Sequence, residues 1–251
     1  MLFSPEKIIR LQSTHSTNDY LTERLRNKAI TSEGTVVLAI EQTQGKGMDK
    51  NIWESEPGKN LTFSFLLKPD FLRADQQFML NKAVSLGVCD FVKTYVNNQI
   101  VTIKWPNDIY VQDKKIAGIL ISNSIEGNEL SHSIVGIGIN INQQKFPNTV
   151  HNPVSLSIAL RRELDLEELL TDLLYWLENR YEQLIKNDWT IISENYLDSL
   201  YRFKVQHPFL YDGEQILAKI TGVSEYGQLQ LITSHQEKLE CDFKEIKFII
   251  D

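Results

Sequence analysis

The sequence predicts an α+β protein that ends in a small antiparallel β-barrel. Apolar runs of strand length alternate with helical stripes up to about residue 200. From residue 203 onward, short alternating strands are separated by turn pairs such as Asp212-Gly213 and Tyr226-Gly227. These patterns predict a domain over residues 1–198 and a barrel domain over residues 199–251.

A short strand is predicted over residues 7–12, followed by a helix from Asp19 to about residue 28. Ser16, Thr17 and Asn18 lie between these two elements, and Ser16 precedes Asp19 by three residues, as in a capping box. This spacing favours a helix cap. The alternative is a small polar site built from the same side chains and the first N–H groups of the helix.

A nearly continuous apolar run at residues 35–41 predicts a strand covered on both faces. It runs into Gly45-Lys46-Gly47, where two glycines allow the backbone to approach an anion beside an ammonium group. A surface turn is the alternative interpretation. No Gly-Lys-Ser/Thr follows, which excludes a P-loop. A further strand is predicted at residues 61–67.

The segment over residues 103–122 reads IKWPNDIYVQDKKIAGILIS and predicts a hairpin-like strand pair. It follows a helical stripe at residues 76–96, and Lys115 directly precedes its second apolar run. A solvated lysine at the hairpin tip is the alternative to a fixed charge. Further along, a strand with two glycines is predicted at residues 132–142, and Asp165 is expected to cap a helix that continues to about residue 185.

The composition is that of an ordinary globular protein, with 42% hydrophobic and 24% charged residues. A net charge of -7 leaves no overall basic field for nucleic acid or an anionic membrane. The widely separated Cys89 and Cys241 predict reduced core thiols. Because no signal peptide or membrane span is recognisable, we expect a cytoplasmic protein.

Four motifs together resemble the biotin–protein ligase family. They are Ser16-Thr17-Asn18, the stretch from Gln42 through Gly45-Lys46-Gly47 to Trp53, the run at residues 104–120, and the Gly-Ile-Gly-Ile-Asn run at residues 136–140. The resemblance covers nearly the whole chain and implies a mixed β-sheet backed by helices, with an SH3-like C-terminal barrel. It also implies the short form without an N-terminal DNA-binding domain.

The implied activity is ATP-dependent formation of biotinyl-5′-AMP, followed by transfer of biotin to a lysine of a biotin carboxyl carrier protein. ATP and Mg²⁺ are the expected cofactors, no nucleic acid or membrane partner is expected, and a homodimer is an open expectation. The resemblance makes Lys115 catalytic. It assigns to biotin Ser16, Thr17, Asn18, Gln42, Gly45, Lys46, Gly47, Met48, Lys115 and Gly118. It assigns to ATP and the adenylate Lys46, Trp53, Lys104, Asn107, Asp108, Lys115 and Asn140, with Asp108 also a Mg²⁺ ligand.

One loop departs from the family pattern. Many members have an arginine-rich Gly-Arg-Gly-Arg-Arg-Gly-Arg loop, where this chain has Gly45-Lys46-Gly47 followed by Met48, Asp49 and Lys50. Lysine is a point charge where arginine is a planar fork, so adenylate retention is the property most affected. The alternatives to a biotin–protein ligase are a lipoate–protein ligase, a non-catalytic repressor that senses a ligand, and an interaction module.

Overall fold

The computed structural model describes residues 1–48, 51–96, 98–148 and 150–250, and its main feature is a seven-stranded mixed sheet. The strand order is β1-β2-β3-β7-β6-β5-β4; β1 and β2 are parallel and all other neighbours are antiparallel. The strands are β1 (Ile8–Thr14), β2 (Val36–Gln42), β3 (Leu61–Leu67), β4 (Val101–Lys104), β5 (Asp108–Val111), β6 (Lys114–Glu126) and β7 (Glu129–Ile139).

Helices cover both faces of this sheet. Helix α1 (Thr17–Arg26) packs on one face, where Leu21 lies among Val37, Leu66 and Ile134. The opposite face carries the main core, and the helices on that side are α2 (Gln77–Tyr95), α4 (Leu166–Ile185) and α5 (Trp189–Asp198). A short helix, α3 (Leu156–Leu160), follows β7. Burial of both sheet faces explains why the strands read as apolar runs.

Two predicted helix caps are confirmed. The Ser16 side chain accepts the backbone N–H of Asp19 at 3.4 Å, and the Asp165 carboxylate accepts the N–H groups of Glu167 and Glu168. Each satisfies N–H groups that a helix start leaves without partners. Because Ser16 is the cap, α1 begins at Thr17 and not at Asp19 as predicted.

The C-terminal residues form a second, five-stranded antiparallel sheet in the order β11-β10-β9-β8-β12. Its strands are β8 (Gln206–Tyr211), β9 (Glu214–Val223), β10 (Leu229–Thr233), β11 (Lys238–Cys241) and β12 (Ile246–Phe248). The sheet is consistent with the expected SH3-like unit, although within the described residues the edge strands β11 and β12 are not paired. The predicted boundary after residue 198 coincides with the end of α5 and stays a prediction.

The C-terminal sheet contacts the central hairpin directly. The Trp105 indole N–H donates to the Gly227 carbonyl at 2.8 Å, and the Trp105 ring lies 5.8 Å from that of Phe243. On the other side of the hairpin, the Lys104 ammonium lies 5.0 Å from the centre of the Phe248 ring. These contacts place the C-terminal sheet beside the turn between β4 and β5. Among the described residues, no helix is both long and apolar enough to cross a membrane.

Candidate active site

A cavity of about 240 Å³ opens on the α1 face of the sheet, and glycines form its floor. Gly118 on β6 pairs with Gly138 on β7, and Gly136 lies two residues before Gly138 on the same strand face. A Cβ atom on Gly138 would lie 2.2 Å from the Trp53 ring, and one on Gly136 would lie 2.3 Å from Asn18 Oδ1. The close approach of these side chains to the strands therefore requires glycine.

Polar side chains form one end of the cavity, at the N-terminus of α1. Ser16, Thr17 and Asn18 are buried, and the Thr17 N–H donates to Gln42 Oε1 at 2.8 Å. Asn18 also contacts Ser64 on β3. The sequence left a helix cap and a polar site as alternatives for these residues. The structure shows that Ser16 does both, since it caps α1 and lines the cavity.

Two lysines and an aspartate form the other end. Lys115 Nζ lies 2.7 Å from Asp108 Oδ1, and both side chains are partly buried. Burial lowers the pKa of the nearby Lys104 ammonium, and the negative charge of Asp108 partly offsets this effect. Lys115 is fixed by its backbone as well, because its N–H donates to Asn152 O and its carbonyl accepts from Val154. The alternative of a solvated lysine at the hairpin tip is thus wrong.

The loop after β2 covers the cavity. Trp53 lies over Gly118 and Gly138, with the Lys115 ammonium 5.7 Å from its ring centre. Its indole N–H is buried and has no hydrogen-bond partner among the described residues. Lys46 forms an ion pair with Asp19 of α1 at 2.8 Å. The prediction for this loop also involves positions 49 and 50, which lie outside the described residues.

The structure brings nearly all of the predicted site residues together. The cavity is lined by Ser16, Thr17, Asn18, Gln42, Lys46, Gly47, Met48, Trp53, Lys104, Asn107, Asp108, Lys115 and Gly118. Two residues lie elsewhere. Gly45 is not in the lining, and a Cβ on it would lie 2.3 Å from the Trp53 carbonyl oxygen. Asn140 lines an adjoining cavity that shares Trp53, Asp108 and Lys115 with the first.

Comparison with known proteins decides the family. The model of the biotin/lipoate A/B protein ligase family matches residues 10–140, about half of the chain, including the β3, β6 and β7 strands of the site. The chain belongs to the biotin/lipoate A/B protein ligase family.

Relatives within this family are similar over most of the chain. The bifunctional ligase/repressor BirA of Bacillus subtilis is 35% identical over 71% of the chain and 54% of its own length. The human biotin–protein ligase is 28% identical over 92% of the chain and 32% of its own length. The chain therefore spans about half, or less, of these relatives. The biotin protein ligase from Aquifex aeolicus, solved in complex with biotin and ATP, is 26% identical with a TM-score of 0.80, covering 97% of this chain and 99% of that one.

The cavity offers few protein side chains that could bind a magnesium ion. No group of three or more His, Cys, Asp or Glu side chains that could bind a metal occurs among the described residues. Asp108 contributes one carboxylate, one oxygen of which faces Lys115. Mg²⁺ typically combines one or two carboxylates with substrate phosphates, and a single carboxylate fits that mode. Asp108 as a Mg²⁺ ligand stays a prediction.

Three residues that line or support this cavity were not assigned to it from the sequence. Phe243, which follows β11, lines the cavity. Trp105 lines it too; it belongs to the motif at residues 104–120, but the sequence offered no reason to assign it a role. Ser64 lies behind the polar end and contacts both Thr17 and Asn18. One feature of the sequence could have indicated a role for Ser64. It is a hydroxyl in the middle of a largely apolar strand that is buried on both faces, where a polar group needs a hydrogen-bond partner. Phe243 had no such feature, because its position depends on how the two sheets pack.

Proposed function

We propose that this protein is a biotin–protein ligase that activates biotin as biotinyl-5′-AMP and transfers it to a lysine of a biotin carboxyl carrier protein. The single observation that carries the proposal is the cavity itself, which has a polar end at the buried Ser16 and Thr17 and the partly buried Gln42, and a cationic end at Lys115. The biotin protein ligase from Aquifex aeolicus that resembles this chain was solved with biotin and ATP, which supports the same substrates here.

The polar end favours biotin over lipoate, although the family includes ligases for both. The ureido ring of biotin carries two N–H donors and a carbonyl acceptor, whereas the dithiolane ring of lipoate carries no strong donor or acceptor. A dithiolane would leave unused the hydrogen-bonding capacity that the polar groups at Ser16, Thr17, Asn18 and Gln42 retain beyond their bonds within the protein. Each buried polar group left unpaired costs about 1–3 kcal/mol, so a polar pocket of this kind strongly rejects an apolar ring.

The cationic end supports the first chemical step. A biotin carboxylate oxygen attacks the α-phosphorus of ATP, the bond from that phosphorus to the bridging oxygen breaks, and pyrophosphate leaves. Two anions must approach each other in this step. The Lys115 ammonium offsets that repulsion, and Asp108 orients it through the 2.7 Å ion pair. Mg²⁺, when bound with ATP, supplies further positive charge to the phosphate oxygens.

The second step needs exclusion of water and access for an amine. The neutral amine of the acceptor lysine attacks the acyl carbon of biotinyl-5′-AMP, the nitrogen loses one proton to solvent as the amide forms, and AMP leaves with the electron pair of the C–O bond. Trp53 and the loop around Lys46 lie across the cavity and restrict the access of water to the adenylate. We propose that Gly47, which lines the cavity, lets this loop pass close to the substrate, while Gly45 lets the loop pass close to the Trp53 carbonyl.

Separate incubations with ATP, Mg²⁺ and either biotin or lipoate test the proposal. We expect mass spectrometry to detect biotinyl-5′-AMP and pyrophosphate with biotin, and at least about 100-fold less adenylate with lipoate. Addition of a biotin carboxyl carrier domain should then move the biotinyl mass to one lysine. Preferential formation of lipoyl-AMP would contradict the proposal, and a lack of adenylate with either acid would favour a non-catalytic role.

A further inference from the structure

Phe248 on β12 contacts a cationic side chain of the cavity. The Lys104 ammonium lies 5.0 Å from the centre of the Phe248 ring and 5.6 Å from that of Tyr110 on β5. Lys104 is half-buried and lines the cavity, whereas Phe248 is outside the lining that the described residues form. The C-terminal sheet therefore reaches the cationic end of the site through Lys104, without touching the space that a substrate would fill.

A third aromatic side chain supports the two rings beside the ammonium. The Tyr201 ring lies 5.4 Å from that of Tyr110 and 6.1 Å from that of Phe248, and its hydroxyl donates to Asp113. Tyr110 is buried on its own strand, whereas Phe248 pairs with Phe209 in the C-terminal sheet. The surroundings of the ammonium are thus built from both parts of the chain.

Electrostatics alone would not keep the Lys104 ammonium at the cavity. Among the described residues, no carboxylate lies within ion-pair distance of it, and Asp108 is paired with Lys115 instead, at 2.7 Å. Asp108 attracts Lys104 at longer range, while Lys115 and Arg202 repel it. The lysine stem is flexible and could turn toward solvent. An aromatic face attracts an ammonium, most strongly where water is excluded, so the rings oppose this movement.

We propose that Phe248 is a positioning residue that holds the Lys104 ammonium in the cavity, where it can meet the phosphate oxygens of ATP. The inference rests on the proposed function, in which an anionic phosphate lies at the cationic end. Phe248 acts through Lys104 and does not touch the substrate. The C-terminal sheet then contributes to the rate of the first step as well as to the wall of the cavity.

A double-mutant cycle separates this role from a loss of packing. Phe248→Leu keeps apolar bulk without a ring face, and kcat/KM for ATP in biotin-dependent pyrophosphate exchange should fall about 5- to 30-fold, the equivalent of about 1–2 kcal/mol. Lys104→Met keeps the length of the stem without its charge and should lower this value at least as much. In the Lys104→Met background, Phe248→Leu should change it by less than about twofold.

Two further variants test the aromatic face and the packing separately. Phe248→Tyr keeps an aromatic face, and its kcat/KM should stay within about threefold of wild type. Leu231→Val is the matched control for packing. Leu231 is buried on β10, which β9 and β8 separate from β12. This variant should lower the melting temperature and leave kcat/KM within about twofold of wild type.

A measurement without substrate reports the contact itself. In protein containing ¹³C-labelled lysine, the ε-methylene signal that disappears in Lys104→Met belongs to Lys104. Ring currents of Phe248 and Tyr110 should shift this signal away from those of exposed lysines. Phe248→Leu should return it part of the way, whereas Leu231→Val should not move it.

An additive cycle, in which Phe248→Leu lowers the exchange rate by the same factor with and without the Lys104 charge, overturns the inference. An unchanged Lys104 signal in Phe248→Leu overturns it as well. If Phe248→Leu does not melt cooperatively, Phe248→Met replaces it in both measurements. A wild-type protein without biotin-dependent exchange overturns the proposed function and the role of Phe248 with it, whereas normal exchange with an additive cycle overturns that role alone.

Discussion

Lys115 is the residue whose removal tests the proposed chemistry most directly. The Lys115→Ala change removes an ammonium that lies 2.7 Å from Asp108. Two unit charges about 4 Å apart interact by ~4 kcal/mol at an effective dielectric constant of about 20, which corresponds to roughly 10³ in rate. Lys104 remains near Asp108 and retains part of the positive charge. We therefore expect adenylate formation to slow by about 10²- to 10³-fold.

The fold should survive this substitution. Lys115 and Asp108 keep side-chain exposures of 27% and 19%, and Asp108 retains Lys104 as a charged neighbour. The cost to the free energy of unfolding should then be about 1–2 kcal/mol, between the values for exposed and buried ion pairs. Urea unfolding measures this cost, and pyrophosphate exchange measures the rate.

Two comparisons sharpen the experiment. Lys114→Ala removes the neighbouring lysine, which is exposed, and should leave the rate unchanged. Supplying purified biotinyl-5′-AMP bypasses the first step, so transfer to a carrier domain should fall much less than adenylate formation in the Lys115→Ala variant. Adenylate formation within a few-fold of wild type would refute the electrostatic role assigned to Lys115.

Three further predictions concern the floor, the loop and the thiols. Gly138→Ala should weaken biotin binding more than tenfold in isothermal titration, because its Cβ would lie 2.2 Å from the Trp53 ring. The accompanying loss of melting temperature should be recovered when Trp53→Ala is added, and no recovery would exclude that steric cause. If burial of the adenylate already compensates for the missing arginines, Met48→Arg should change the release rate of biotinyl-5′-AMP by less than about tenfold in stopped-flow measurements. A much larger slowing would show that the wild-type loop retains the adenylate poorly. Burial raises the pKa of both Cys89 and Cys241 to about 11, which keeps the thiols protonated near neutral pH. At pH 8 the native protein should react with a thiol reagent at least 100-fold more slowly than the urea-unfolded protein, and rapid native labelling would contradict this.

Much of the fold could be predicted because local rules and tertiary packing agree in this chain. The β3 strand was predicted with the observed limits, since an apolar run of this length bounded by a turn admits few alternatives. The β7 strand runs from Glu129 to Ile139, three residues earlier than expected. Its true start depends on pairing with β6, where Glu126 is opposite Glu129, and polar residues at a hairpin end carry no apolar signal. Helix α5 was missed, although Tyr196 within it is fully buried.

The site was predictable where motif residues lie in the cavity and unpredictable where tertiary packing supplies a neighbour. The Lys115 position follows from its place before a buried strand. Its partner Asp108 is seven residues away in sequence, and the short β5 strand brings them together. The interaction of Ser64 with Asn18 spans 46 residues and depends on how α1 lies on the sheet. The spacing of residues along the sequence cannot predict such a contact.

The contact between Trp105 and Gly227 has a consequence for how the protein could be divided. The indole N–H is bonded to the carbonyl of Gly227, between β9 and β10, and Phe243, between β11 and β12, forms part of the wall of the cavity. A fragment ending after residue 198 would contain every residue assigned to biotin and ATP, yet its cavity would be open on one side and the Trp105 N–H would lose its partner. Two polypeptides cut at this point should therefore be inactive separately and regain activity on mixing.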